Sequence, residues 1–189
     1  SSNEAIGDLE ALLNSSVQEQ MRADVPLGVF LSGGIDSSLI ASIMQSQSLK
    51  PVKTFSIGFN EEAYNEAKYA KEIAKHIGTE HTEMYISSNK ARDVIPKLPQ
   101  LYDEPFSDSS QIPTYLLSKL TSESVTVSLS GDAGDELFGG YNRYLLTNKI
   151  LNTTKFMPIS MRKYISLAMT TISPKVWDKI LYQFRMSLS

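Results

Sequence analysis

The residues with the clearest chemical content form a short loop, residues 32–38, with the sequence Ser-Gly-Gly-Ile-Asp-Ser-Ser. An apolar run that ends at Leu31 precedes this loop, and an apolar helical pattern follows it. Glycine lets the backbone approach a phosphate closely, and the free N–H groups of a helix's first turn point at it. The acid Asp36 suggests a metal ion bound to those phosphates. The loop therefore predicts a nucleotide site.

The loop departs from two familiar phosphate motifs. It lacks the Gly-Lys-Ser/Thr of a Walker A sequence, and it lacks the G-x-G-x-x-G dinucleotide fingerprint. The alternative is a glycine-rich turn that binds nothing. Two adjacent glycines followed by an acid and two hydroxyls are an unusual connector, which favours the binding site.

A second loop, residues 130–136, has the sequence Ser-Gly-Asp-Ala-Gly-Asp-Glu and follows a β-branched stretch. Its three acids repel one another unless a cation or hydrogen bonds compensate. We expect Asp135 to lie beside Asp36 and the two carboxylates to hold Mg²⁺, with phosphate oxygens and water completing the coordination. An EF-hand is excluded because its alternating ligand spacing is missing. An acidic helix start in solvent is the alternative.

Strands that alternate with helices must position these loops. Strands are predicted over residues 28–31, 52–59, 81–86 and 125–129, and helices over 4–22, from Asp36 onward, and over 67–77, 91–98 and 115–120. This alternation predicts an α/β fold with a doubly wound parallel sheet and helices on both faces. Both loops follow the carboxyl end of a strand, which is the edge where open α/β sheets bind ligands.

Helical spacing also assigns the buried faces and the helix ends. The apolar sets are Ile6, Leu9, Leu13 and Val17 in the first helix, Leu39, Ile40, Ile43 and Met44 in the second, and Ala67, Ala70, Ile73, Ala74 and Ile77 in the third. Gly78 is predicted to end the third helix, and Pro99 to end the helix over 91–98. We predict a nucleotide-binding core over 1–145 and a partial helical subdomain over 146–189.

Composition narrows the function classes. The net charge of −3 gives no electrostatic footprint for nucleic acid, and no apolar run approaches a membrane span. Cysteine is absent, which removes a thiol nucleophile and thiolate metal sites and fits a reducing, cytoplasmic setting. We expect no nucleic-acid partner, no membrane association, and structural roles for His76 and His81.

The two loops together carry a resemblance to a known family. Residues 32–38 look like the pyrophosphate-binding loop of the N-type ATP pyrophosphatases. Residues 130–141 resemble the second signature of the glutamine-hydrolysing asparagine synthetases of the B type, and residues 54–59 and 102–105 also resemble that family. The resemblance covers about residues 5–145, extends weakly into the tail, and implies the ATP pyrophosphatase fold.

The resemblance implies ATP and Mg²⁺ as cofactors and a role for each loop residue. Backbone groups at Leu31, Ile57 and Gly131 are expected to hold adenine and ribose, and Ser130 is a further ATP-binding residue. The phosphates that leave as pyrophosphate are held by Ser32, Gly33, Gly34, Ser37 and Ser38. Asp36 and Asp135 match the Mg²⁺-binding acids, and Asp132 is expected to take a proton from attacking ammonia. The implied reaction adenylates the side-chain carboxylate of aspartate and then aminates it.

Members of this family also carry an N-terminal glutaminase domain with a nucleophilic Cys, and a longer helical region. We therefore expect this chain to be a piece of the C-terminal synthetase domain, with that glutaminase domain as its partner in the parent protein. The resemblance is compatible with a homodimer of the full-length protein. The chain alone is expected to bind ATP and Mg²⁺ but to be inactive as a synthetase.

Two other functions stay open. A β-lactam or macrolactam synthetase resembles this family, adenylates a different carboxylate and closes a ring with an internal amine. The acid at Asp132, suited to deprotonating ammonia, favours asparagine formation. A nucleotide-binding module without chemistry would have no use for the clustered acids.

Overall fold

The computed structural model describes residues 2–60, 65–104 and 107–187; Pro105 of the motif over 102–105 lies outside them. The chain forms two compact units, Ser1–Leu137 and Phe138–Ser189. The predicted division after residue 145 stays a prediction. Within the described residues, no helix is both long and apolar enough to cross a membrane.

The first unit alternates strands and helices. Its elements are α1 (Ser2–Gln20), β1 (Leu27–Phe30), α2 (Ile35–Ser46), β2 (Lys53–Phe59), α3 (Ala67–Ile77), β3 (Glu80–Ile86), α4 (Ser88–Arg92), a 3₁₀ turn (Ile95–Lys97), α5 (Leu98–Leu101), α6 (Gln111–Thr121), β4 (Val127–Leu129) and α7 (Gly134–Phe138), which ends at the unit boundary. The second unit contains α8 (Asn142–Thr154), α9 (Ile159–Thr171) and α10 (Pro174–Ser187). The predicted tail helices are thereby confirmed.

The four strands pair in the order β3-β2-β1-β4, and every pairing is parallel. This arrangement confirms the predicted α/β class. The chain moves from β1 outward to β3 and then returns to the other side of β1 for β4. Right-handed crossovers in opposite directions place helices on the two faces of such a sheet.

The main core lies between the sheet and the first three helices. Val29 and Leu31, at and just beyond the end of β1, are at most 1% exposed and pack with buried residues of α1, α2 and α3. On the opposite side of β1, the ring of Phe55 lies against the backbone of Gly28, where a Cβ would stand 2.7 Å from the ring. Burial of these apolar residues fixes the strand that carries the first loop.

The buried face of α1 differs from the prediction. Val17 is 3% exposed and Leu13 packs against the core, but Ile6 is 63% and Leu9 37% exposed. Only the carboxyl-terminal half of α1 therefore reaches the core, although the apolar spacing continues along the helix.

The predicted buried face of α2 is confirmed at three of its four positions: Ile43 and Met44 are buried and Ile40 packs against the core. Leu39 is instead 44% exposed, and Ser37 and Ala41 complete the buried stripe. The predicted face of α3 is confirmed, and Gly78 ends that helix with a left-handed φ of 84°. A glycine suits this position because it has no Cβ to strain.

The segment between β3 and β4 departs most from the prediction. In place of one helix over 91–98 it forms α4, the 3₁₀ turn and α5. Pro99 does not end a helix but lies in the first turn of α5, and Pro113 lies in the first turn of α6. Proline is accepted there because first-turn N–H groups have no partner within the helix.

Candidate functional site

The two predicted loops lie next to each other at the carboxyl edge of the sheet. Residues 32–34 follow β1, residues 130–133 follow β4, and these strands are hydrogen-bonded neighbours. The strand order reverses between β1 and β4, because β2 and β3 extend to one side only. A topological switch point of this kind is the usual ligand crevice of an open α/β sheet.

Serine hydroxyl groups of the first loop form hydrogen bonds to other groups of the same loop. The Ser37 side chain is buried, and its Oγ accepts from Ser32 N at 3.2 Å and donates to Gly34 O at 3.3 Å. Ser32 Oγ lies 2.9 Å from Ser37 Oγ and accepts from Gly34 N at 3.2 Å, while Ser38 Oγ donates to Gly34 O at 2.6 Å. In this conformation the predicted phosphate-binding hydroxyls hold the loop closed on itself.

Glycine is required at Gly33 for two reasons. Its φ of 86° lies in the left-handed region, and a Cβ there would stand 2.9 Å from Cβ of Tyr69 and 3.0 Å from N of Ala70. The loop is therefore packed on the first turn of α3. Gly34 is the N-cap residue of α2 and has an extended backbone. Because glycine has no side chain, it provides no acceptor for the free N–H groups of the first turn of α2.

The second loop packs directly on the start of α2. A Cβ on Gly131 would lie 2.6 Å from Ser37 N and 2.8 Å from the backbone carbon of Asp36. A Cβ on Gly134 would lie 2.5–2.9 Å from the carboxylate atoms of Asp36. The Asp36 carboxylate is thus seated against the backbone of the residue before Asp135, which supports the predicted pairing of these acids.

The acid predicted to act as a base projects from the same loop. Asp132 is exposed, and its Oδ2 accepts from Ser130 Oγ at 3.0 Å. Ser130 Oγ also accepts from Asp132 N at 3.4 Å, so the serine hydroxyl bonds both the backbone N–H and the carboxylate of Asp132. The next residue, Ala133, has a φ of 71°, which is uncommon for a residue with a Cβ. This backbone strain marks the turn that brings Gly134 to Asp36.

The donor set at the switch point fits Mg²⁺. The described residues contain no group of three or more His, Cys, Asp or Glu side chains able to hold a metal. Mg²⁺ does not need such a group, since it takes one or two carboxylates and completes its octahedron with phosphate oxygens and water. Asp36 and Asp135, both partly buried, are the carboxylates that would hold it.

Two of the predicted adenosine contacts belong to the sheet itself. Leu31 is 1% exposed and its N–H donates to Phe55 O at 2.9 Å, so only its carbonyl could face a ligand. Ile57 lies in β2 and pairs with Met84 of β3. Backbone recognition at these positions stays a prediction.

The histidines lie apart from the loops. The ring of His81 in β3 bridges two buried hydroxyls of β2, with Nδ1 2.8 Å from Thr54 Oγ1 and Nε2 3.1 Å from Ser56 Oγ. Burial lowers the pKa of His81. His76 is exposed in the last turn of α3. The contacts of His81 support its structural role. The structural role of His76 stays a prediction.

Asp108 acts at a helix start. Its Oδ1 accepts from Ser110 N at 2.8 Å just before α6, and this backbone hydrogen bond lowers the pKa of the carboxyl. The Asp108 carboxylate thus orders the turn that leads into α6, whose N-cap is Ser110.

Sequence reasoning missed the part of the site contributed by α3. Tyr69 supports Gly33, and Lys68 lies beside it with Nζ 5.1 Å from the centroid of the Tyr69 ring. In the sequence these residues belong to an ordinary amphipathic helix, so no local signal marks them. Gly134 was likewise part of the second motif without an assigned role.

Comparison with known proteins defines first the class and then the family. The fold resembles that of an NH₃-dependent NAD synthetase from Campylobacter jejuni, with a TM-score of 0.50, 13% identity, and coverage of 95% of this chain and 93% of that chain. The parallel sheet, the loops at its switch point and this similarity together define an open α/β fold. Residues 8–185 match the family model described as asparagine synthase. The chain belongs to the asparagine synthase family.

Named relatives agree with this assignment. The chain is 45% identical over 135 residues to putative asparagine synthetase (glutamine-hydrolyzing) 2 of Methanocaldococcus jannaschii, covering 71% of this chain and 26% of that protein. It is 42% identical over 140 residues to asparagine synthetase (glutamine-hydrolyzing) 1 of Bacillus subtilis, covering 74% and 22%. It is 32% identical over 180 residues to asparagine synthetase B of Escherichia coli, covering 86% and 31%. The chain thus spans about a quarter of the length of these relatives.

Proposed function

We propose that this chain is the ATP-binding core of an asparagine synthetase. In this proposal the parent protein forms β-aspartyl-AMP and pyrophosphate from ATP and aspartate, and ammonia from a glutaminase domain then displaces AMP. The observation that carries the proposal is the seating of the Asp36 carboxylate against Gly134, which joins the two loops at the switch point. Membership of the asparagine synthase family supports it.

In the first step a carboxylate oxygen of aspartate attacks the α-phosphorus of ATP, and the bond to the β-phosphate oxygen breaks. Negative charge develops on the departing pyrophosphate, so the site must supply positive potential there. The backbone of Gly33 and Gly34 and the start of α2 supply it in part. Bound Mg²⁺ would supply the rest as a Lewis acid. Asp36 and Asp135 hold the metal in this proposal.

In the second step neutral ammonia attacks the acyl carbon, and AMP leaves with the electrons of the acyl–oxygen bond. The attacking nitrogen must lose a proton, and a positioned carboxylate can accept it. We assign this role to Asp132, because it is exposed at the sheet edge and Ser130 fixes one of its oxygens.

Ligand binding to the chain tests the nucleotide site. Millimolar ATP with Mg²⁺ should raise the melting temperature of the 189-residue chain, since a ligand that binds only the folded state stabilises it. Asp36→Asn keeps the size of the side chain but removes its charge, and it should abolish the shift. An unchanged shift in Asp36→Asn would remove this residue from the metal role.

The acceptor carboxylate needs a separate test. Hydroxylamine traps an acyl-adenylate as a hydroxamate, so the full-length parent protein should yield the aspartyl product with ATP and aspartate. A hydroxamate formed only from another carboxylic acid would favour the lactam-synthetase alternative. Nucleotide binding without any hydroxamate would favour a module that does no chemistry.

A further inference from the structure

The two loops of the proposed phosphate site contain no cationic side chain. Residues 31–38 and 130–137 contain no Lys or Arg, but they contain the acids Asp36, Asp132, Asp135 and Glu136. A polyphosphate that approached these loops would meet like charge. Metal binding offsets part of this repulsion, and phosphoryl-transfer sites commonly add a lysine or arginine.

The first turn of α3 brings such a cation to the glycine loop. Because α3 follows β2, its start lies at the same sheet edge as the two loops. Gly33 is packed on the backbone of Tyr69 and Ala70, so close that a Cβ would collide with both. Lys68 is exposed beside this contact, and its Nζ lies 5.1 Å from the centroid of the Tyr69 ring.

Lys68 adds a positive charge at the start of α3, where the helix macrodipole also places positive potential. The acid at this helix end is the N-cap residue Glu66, whose side chain accepts no capping hydrogen bond, and the first turn itself contains no acid. A bound phosphate would be attracted by both the ammonium and the helix start, which then act on the same negative charge.

The next lysine of α3 shows the contrast. Lys71 forms an ion pair with Glu83 of β3, so its charge is neutralised against the edge strand. Lys68 instead places its Nζ over the aromatic face of Tyr69, and a cation–π contact leaves ammonium N–H donors available. The ammonium therefore keeps its charge while it contacts Tyr69, the residue against which Gly33 packs.

We infer that Lys68 is a phosphate-binding residue of this site, held beside the glycine loop by Tyr69. The inference rests on the proposed function, because it names a further residue of the same nucleotide site. It predicts that Lys68 recognises the phosphates of ATP and not its nucleoside.

Calorimetric titration of the 189-residue chain with Mg·ATP and with adenosine tests the inference. Lys68→Gln should weaken Mg·ATP binding about tenfold, the usual effect of one charge-assisted hydrogen bond. Its affinity for adenosine should not change, and Lys68→Arg should restore most of the affinity for Mg·ATP. Lys75→Gln is the matched control, because it removes the same charge from an exposed site in the last turn of α3.

Each result has a distinct meaning. If the wild-type chain fails to bind Mg·ATP at millimolar concentration, both the proposed function and this inference fail. If the wild type binds but Lys68→Gln binds equally well, or loses no more than Lys75→Gln, only the inference is wrong. Equal losses for ATP and adenosine in Lys68→Gln would also overturn it, since they indicate a structural role. A melting temperature for each variant separates misfolding from these outcomes.

Discussion

Adding one methyl group at Gly134 should damage ligand binding far more than it damages the fold. In Gly134→Ala the new Cβ would stand 2.5 Å from Cγ and 2.7 Å from Oδ1 of Asp36. Because these atoms end a short side chain, the clash can be relieved by rotating the Asp36 carboxylate out of its rotamer, at a cost of about 0.5–1.5 kcal/mol. Alanine gains about 0.4–1 kcal/mol over glycine by restricting the unfolded chain, since Gly134 does not have a positive φ. The net change in unfolding free energy should therefore be close to zero.

The displaced carboxylate is one of the two proposed to hold Mg²⁺, so Gly134→Ala should lose about 10–100-fold in affinity for Mg·ATP, as when a group that orients a metal ligand is lost. Gly131→Ala is the comparison. Its Cβ would meet backbone atoms, Ser37 N at 2.6 Å and the Asp36 carbon at 2.8 Å, which no rotamer can move away. We expect Gly131→Ala to cost about 1–3 kcal/mol of stability.

Urea denaturation and Mg·ATP titration of both variants check these expectations. Wild-type affinity in Gly134→Ala would refute the proposal that the seated Asp36 carboxylate binds the metal. A loss of stability in Gly134→Ala as large as that in Gly131→Ala would refute the distinction between side-chain and backbone collisions.

Two further predictions concern stability. Ala133→Gly should raise the free energy of unfolding by about 0.5–1 kcal/mol, as measured by urea denaturation. A Cβ at a φ of 71° costs about 1–2 kcal/mol, and the greater flexibility of glycine in the unfolded chain offsets part of the gain from removing it. A destabilised variant would show that the turn is unstrained. The pKa of His81 is lower in the folded chain than in the unfolded chain, because the ring is partly buried. As the pH falls below about 6.5, the unfolded chain therefore binds a proton at His81 more readily than the folded chain does. The free energy of unfolding should thus decrease as the pH falls from 7 to 5. His81→Gln should flatten this melting-temperature profile and the exposed His76→Gln should leave it intact; identical profiles for the two variants would contradict the assignment.

Much of the fold and the location of the site could be predicted from the sequence because both depend on local signals. β-branched and apolar runs mark the parallel strands, and glycine-rich loops at their carboxyl ends mark the ligand edge. The exposure of Leu39 could not be predicted, because apolar spacing does not say which side of α2 meets the sheet. The contact of Tyr69 with Gly33 could not be predicted either, since it depends on how closely α3 approaches a loop distant in sequence.

Glycines of the two loops do more than make room for phosphate. Gly33 admits the first turn of α3, and Gly131 and Gly134 admit the start of α2 with its acid. At each of these positions the backbone of a glycine lies in close contact with a segment from another part of the chain, so the two loops and α3 cannot shift independently at these contacts. An anion that fixed the first loop would thereby bias the second, where Asp132 and Asp135 lie. In the proposed reaction these contacts would couple the pyrophosphate loop to the loop of Asp132, and Gly131→Ala should weaken that coupling together with the fold.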